Sequence, residues 1–241
     1  MNTKFLKSLA GVVCCISLLA AAPAYATSPT TVLNFYGITK NDTTGAAVAD
    51  GKANLRAEVT DLGTDSFGQS SVRFKFTNNS NSSSLTDVYF ADGALLGISG
   101  VNVSSGVSFT GGSASPRDLP SGNSVSPAFQ TTAGFLADAD SSPIKNGVQN
   151  SDATGEWLAI DFLLKSGKSF TDVLSALTLP GVGPTDAAPW LRIGLHVQSF
   201  AGDYSESFIN SPIPEPETYA MLLAGLGLVG FMTRRRKQQE T

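Results

Sequence analysis

Short runs of apolar–polar alternation, cut by glycine, proline, asparagine and serine, constrain this fold more than any other feature of the chain. In Val72-Arg73-Phe74-Lys75-Phe76 the apolar residues fall at every second position and the cations fill the gaps. Side chains alternate sides along an extended chain, so this pattern predicts a half-buried strand. Leu55 to Thr60 repeats it, and Leu191 to Gln198 extends it, with four aliphatics on one face and Arg192, His196 and Gln198 on the other. Val32 to Tyr36, Thr86 to Phe90, Val101 to Phe109 and Trp157 to Leu164 are further candidates, about seven strands in all. The stretches between them, such as residues 77–84, 111–127, 138–147 and 180–189, carry turn residues. One helical spacing stands out: Phe170, Val173, Leu174 and Leu177, with Ser169 placed to cap and Pro180-Gly181 beyond the end. The expectation is an all-β antiparallel sandwich with one short helix.

The ends of the chain differ from this body. Lys4 and Lys7 precede an apolar run from Leu9 to Ala22, and Ala24-Tyr25-Ala26 has the small-x-small form of a signal-peptidase site. Residues 1–26 therefore read as a secretory signal peptide. Both cysteines, Cys14 and Cys15, lie inside it, so the exported chain is expected to carry no disulfide and no cysteine metal site. The body, residues 27–211, must fold on its core alone, and a chain of this length buries about 70% of its unfolded surface. From Thr27 to Ile213 there are 10 basic and 17 acidic residues, which argues against nucleic acid as a partner. The sequence thins into Ser, Asn and Pro from Tyr204, and residues 212–218, which contain Pro214-Glu215-Pro216, read as an extended linker because proline neither continues a helix nor donates a ladder bond.

Residues 219–233 are expected to form a transmembrane sorting helix. Its uncharged stretch, Tyr219 to Met232, would be about 21 Å long, short of a hydrocarbon core of about 30 Å. Arg234, Arg235, Arg236 and Lys237 open the basic tail, residues 234–241, and form a stop-transfer cluster that favours the cytoplasmic side. Small residues at Ala220, Ala224, Gly225, Gly227 and Gly230 permit close approach by another helix.

In the body, chemistry is sparse. The sole histidine, His196, is read as a solvated residue on the polar face of a strand. Gly97-Ile98-Ser99-Gly100 comes near a nucleophile elbow and is read as a turn. One histidine excludes histidine-based zinc sites, and the acidic stretches at Asp61 to Asp65 and Asp138 to Ser142 lack the Gly and distal Glu of an EF-hand, so no metal, cofactor or catalytic residue is assigned. Trp157, Trp190, Tyr89 and Tyr204 are candidate sugar-stacking residues whose expected use is packing. Asn-x-Ser/Thr triplets at Asn41, Asn78, Asn81 and Asn102 lie in segments rich in those residues.

The ordered trio of Pro214-Glu215-Pro216, an apolar helix and an arginine cluster resembles the PEP-CTERM sorting signal of Gram-negative bacteria. The resemblance covers residues 212–237 and implies processing by an exosortase, a membrane cysteine peptidase or transpeptidase, after a transient hold in the inner membrane. It further implies association with exopolysaccharide and biofilm at the cell surface or outside the cell. The body segments around residues 167–177 and 191–210 are similar to uncharacterised domains of exported proteins with such tails, which carry no activity over. Three functions follow as expectations: a non-enzymatic surface or matrix protein, a carbohydrate-binding module, and a secreted hydrolase using paired carboxylates.

Overall fold

The computed structural model describes residues 28–92, 95–111, 117–131, 136–139, 146–150, 155–178, 190–213 and 226. The signal peptide with Ala24 and Ala26, the motif Pro214-Glu215-Pro216 and the cluster Arg234 to Lys237 lie outside these residues, as does the segment 219–233 apart from Leu226.

The alternating runs form strands as expected. The first sheet joins β1 (Thr30–Leu33), β3 (Leu55–Thr64), β4 (Ser70–Asn78), β9 (Trp157–Leu164) and β6 (Leu96–Val103) in that order. The second joins β2 (Phe35–Gly37), β11 (Tyr204–Asn210), β10 (Leu191–Phe200), β5 (Ser84–Asp92), β8 (Leu136–Ala139) and β7 (Phe109–Gly111). Every pairing is antiparallel. Val72, Phe74 and Phe76 of β4 face Val88 and Phe90 of β5 and Ile193 and Leu195 of β10 across one apolar core. Phe90 sits at its centre, with edge-on rings at 5.2 Å (Phe74) and 5.0 Å (Phe162), the arrangement aromatic quadrupoles favour.

Among the described residues two short α-helices stand against these sheets, one more than expected of the sandwich. The foreseen helix, α2 (Phe170–Thr178), begins with a reciprocal cap: the Ser169 amide donates to the Asp172 carboxylate at 2.8 Å, and the Asp172 amide to the Ser169 hydroxyl. Its Phe170, Val173 and Leu177 enter the core. The unforeseen helix, α1 (Ala46–Asn54), has no apolar stripe and a glycine in its second turn, so periodicity is silent about it. It forms because the buried Asp42 carboxylate accepts the Ala47 amide and the Thr44 amide and hydroxyl. The same amides and hydroxyl, Ala47's first, hold that carboxyl below its ordinary range. Gly51 then lets the helix lie directly on Phe208, whose ring would be 2.2 Å from a Cβ there.

Other expectations change where tertiary neighbours decide. Tyr204–Asn210, where the sequence thins into polar residues and no strand is expected, is β11, hydrogen-bonded on both sides to β10 and β2. Gly97 to Gly100, read as a turn, lies inside β6. The second sheet is covered on its outer face as well, by a loop at residues 117–131 whose Leu119 and Phe129 pack on Tyr89, Trp190 and Ile209. That cover buries the outward Tyr89 and Ala91 of β5, a strand buried along its whole length.

Candidate functional site at the root of the C-terminal segment

β11 hands the chain to its C-terminal segment at one end of the sandwich. Asn210, buried at that strand's last position, accepts the Ile193 amide through Oδ1 at 2.7 Å. The Ser211 amide then donates to Asn34 O at 2.8 Å, and the Ile213 amide to Leu177 O at 3.2 Å. The last of these satisfies a carbonyl in the final turn of α2 that has no partner within the helix. Ile213 also packs partly into the core. Backbone bonding to the body therefore continues to the residue immediately before Pro214.

Beside this root lies a small cavity of about 70 Å³ lined by Tyr36, Ser126, Leu177, Arg192, Asn210 and Pro212. Arg192, expected on a solvated face, is instead 9% exposed. It donates from Nη1 to Pro127 O at 2.8 Å and from Nη2 to Ala128 O, and its guanidinium lies 5.2 Å from the Phe129 ring and 5.8 Å from that of Trp190. Burial lowers its pKa from the ordinary arginine value. The arrangement is one that locks the 117–131 loop over the second sheet, and its Nε makes no hydrogen bond to the described residues. Alternation put Arg192 on the correct face, but only the fold supplies the loop that covers it.

His196 is likewise corrected from solvated to largely covered. Its side chain is 12% exposed and its Nδ1 lies 3.2 Å from Oδ2 of the buried Asp87. Ser207 is its partner in register on β11, which gives an Asp–His–Ser row across three strands. The Ser207 hydroxyl is buried and makes no hydrogen bond to the described residues, so the row as it stands offers no exposed nucleophile. Two acidic residues weighed for calcium do structural work: Asp61 accepts the Gly63 amide, and Asp65 the Phe67 and Gln69 amides. Asp140 and the Asp138 side chain lie outside the described residues, among which no group of three acidic, histidine or cysteine residues is placed to hold a metal.

The aromatic candidates do not share a surface. Trp190 and Tyr89 are buried, Trp157 belongs to the first sheet under Lys75 Nζ at 5.6 Å, and Tyr204 is 38% exposed. All four triplet asparagines are engaged: Asn41 with Ser205 O, Asn78 with Ser83, Asn81 with Asn150, and Asn102 with Asp161. One exposed residue the sequence reading passed over is Phe67, an apolar side chain inside a turn.

No helix among the described residues is long and apolar enough to cross a membrane. No curated protein and no solved structure is significantly similar to the chain. A family model does match, over residues 212–237, which begin within the bonded root and run through Pro214-Glu215-Pro216 to the basic cluster. The chain therefore carries a PEP-CTERM protein-sorting motif at its C-terminal region.

Proposed function

We propose that this is an exported surface or extracellular matrix protein, a non-enzymatic β-sandwich delivered by residues 1–26 and processed by an exosortase at or near Pro214-Glu215-Pro216. The observation that carries the reading is the junction. The body's backbone hydrogen bonds reach Ile213, and the Pro-Glu-Pro motif starts at the next residue. A processing enzyme acting at that motif cuts C-terminal to every strand of the described body. The apolar segment 219–233 serves as a transient inner-membrane hold and the cluster 234–237 as its cytoplasmic stop. The partner of the exported body in this reading is exopolysaccharide. Intact-mass measurement of the extracellular form tests it: the expected species begins at Thr27 and lacks residues 219–241. A secreted form that keeps them rejects processing.

A second reading, carbohydrate binding, has one favouring observation. A polar cleft of about 570 Å³ is lined by Arg117, Asp118, Asn123 and Gln130, all of the loop that Arg192 locks. The buried Trp190 cannot stack on a sugar, so the discriminating variant is Asn123→Ala together with Gln130→Ala, read on a glycan array. Binding that survives both removals, or is absent from the wild type, sinks this reading.

A further inference from the structure

The turn between β3 and β4 exposes a phenylalanine with no structural use. Phe67 is 93% exposed, although the turn around it is firmly built. Asp65 N donates to Gln69 O, Gly68 N to Asp65 O, and the Asp65 carboxylate accepts the Phe67 and Gln69 amides. The ring is therefore held out on a rigid tip. Beside it runs the turn after β9, with Lys165 and Lys168, and a groove of about 240 Å³ separates the two turns. Gln69 Nε2 ties them by donating to Leu164 O at 3.1 Å. Two carboxylates stand nearby: Asp65 accepts the turn amides, and Asp172, bonded to Ser169, also faces Lys168. On a body with an acidic excess, an exposed ring flanked by two lysines is a local exception.

The position of this tip gives it meaning. Strand directions put it at the same end of the sandwich as the C-terminal root: Ser71 pairs with Leu163 in the first sheet, Leu191 with Asp92 in the second, and the Leu95 backbone bridges Asp92 to Lys165. The helix α2 runs from the lysine turn to the root, with Ser169 at its start and Leu177 bonded to Ile213 at its end. Nine residues make that helix about 14 Å long. From Ile213 to Tyr219 is six residues, a reach of at most about 20 Å. Whenever segment 219–233 is in a bilayer, this end of the body is the end held near it.

We propose that Phe67, Lys165 and Lys168 seat the body on the anionic lipid surface of the membrane that receives the tail. The ring enters the headgroup boundary and the lysines meet lipid phosphates. Because the tail makes the encounter intramolecular, one ring and two cations suffice. The inference rests on the membrane hold proposed above.

The experiment uses the full chain with Cys14 and Cys15 changed to serine, inserted in vesicles of phosphatidylcholine with or without phosphatidylglycerol. An environment-sensitive fluorophore is placed by Ser66→Cys, and in a separate sample by Gly227→Cys. We expect nitroxide lipids to quench both probes in the anionic vesicles, with tip quenching weaker in phosphatidylcholine alone. Phe67→Ser should lower the ratio of seated to free tip about tenfold and leave the Gly227 probe unchanged. A quenched tail probe with an unquenched tip, or tip quenching equal in both lipids, overturns the seating and leaves the tail reading intact. An unquenched tail probe overturns the membrane hold, and the seating with it.

Discussion

At the residue scale, Gly51 shows how a tertiary contact reverses a local preference. Alanine is favoured over glycine in a helix interior by about 1 kcal/mol. At position 51, however, the added Cβ would lie 2.2 Å from Phe208 Cζ and 2.6 Å from Cε1, and Phe208 is buried in the core. Overpacking of this kind costs about 1–3 kcal/mol, so steric cost wins. Gly51→Ala is expected to lower the unfolding free energy in urea, whereas an unchanged or higher midpoint would mean that α1 does not sit on Phe208. Asp42 makes a second residue-scale prediction. Its carboxyl is held low by the Ala47 amide, the Thr44 hydroxyl and the Thr44 amide, which donate to the ionised form. The native state binds that proton less readily than the unfolded chain. Its stabilisation is therefore complete above the unfolded value of about 4 and is lost as pH falls through the lower native value. Urea midpoints measured from pH 6 to pH 2.5 should fall less steeply below pH 4 in Asp42→Asn than in the wild type. Parallel curves would remove Asp42 from the account.

At the element scale, β11 is the strand that residue composition hides. Tyr204-Ser205-Glu206-Ser207 has the polar look of a linker. Yet Glu206 is fully buried, accepting the Asp42 amide at 2.8 Å and the Thr39 hydroxyl, so the loop before α1 closes over the strand. A polar residue can occupy a buried position where its bonds are met, and no periodicity announces that in advance. Truncation separates strand from linker. A chain ending at Ile213 should unfold cooperatively within about 2 °C of the full-length protein, because every described strand and both root bonds remain. A chain ending at Asp203 should show no cooperative transition, since it leaves the edges of β10 and β2 unpaired and exposes the cavity vacated by Phe208. Circular dichroism melts of the two fragments decide it, and a cooperative melt of the shorter one would show that β11 is dispensable.

At the scale of the whole molecule, one end of the sandwich gathers the features that bear on sorting. The root at Ile213, the cavity under Arg192, the lysine turn and the exposed Phe67 all lie there, and they come from four separate stretches of sequence. The two-faced strands, the α2 helix and the sorting motif follow from local residue order. A period-two pattern, a cap three residues from its partner and a linear address are all written in neighbouring residues. Tertiary structure alone decided the rest: that Arg192 lies under a loop and His196 beside a buried Asp87, that Asp42 starts a helix without an apolar stripe, and that β11 fills the sheet beside β10. It also decided that Phe67 shares an end with the root at Ile213. Each depends on groups distant in the chain meeting in space, where burial and hydrogen-bond satisfaction override local pattern.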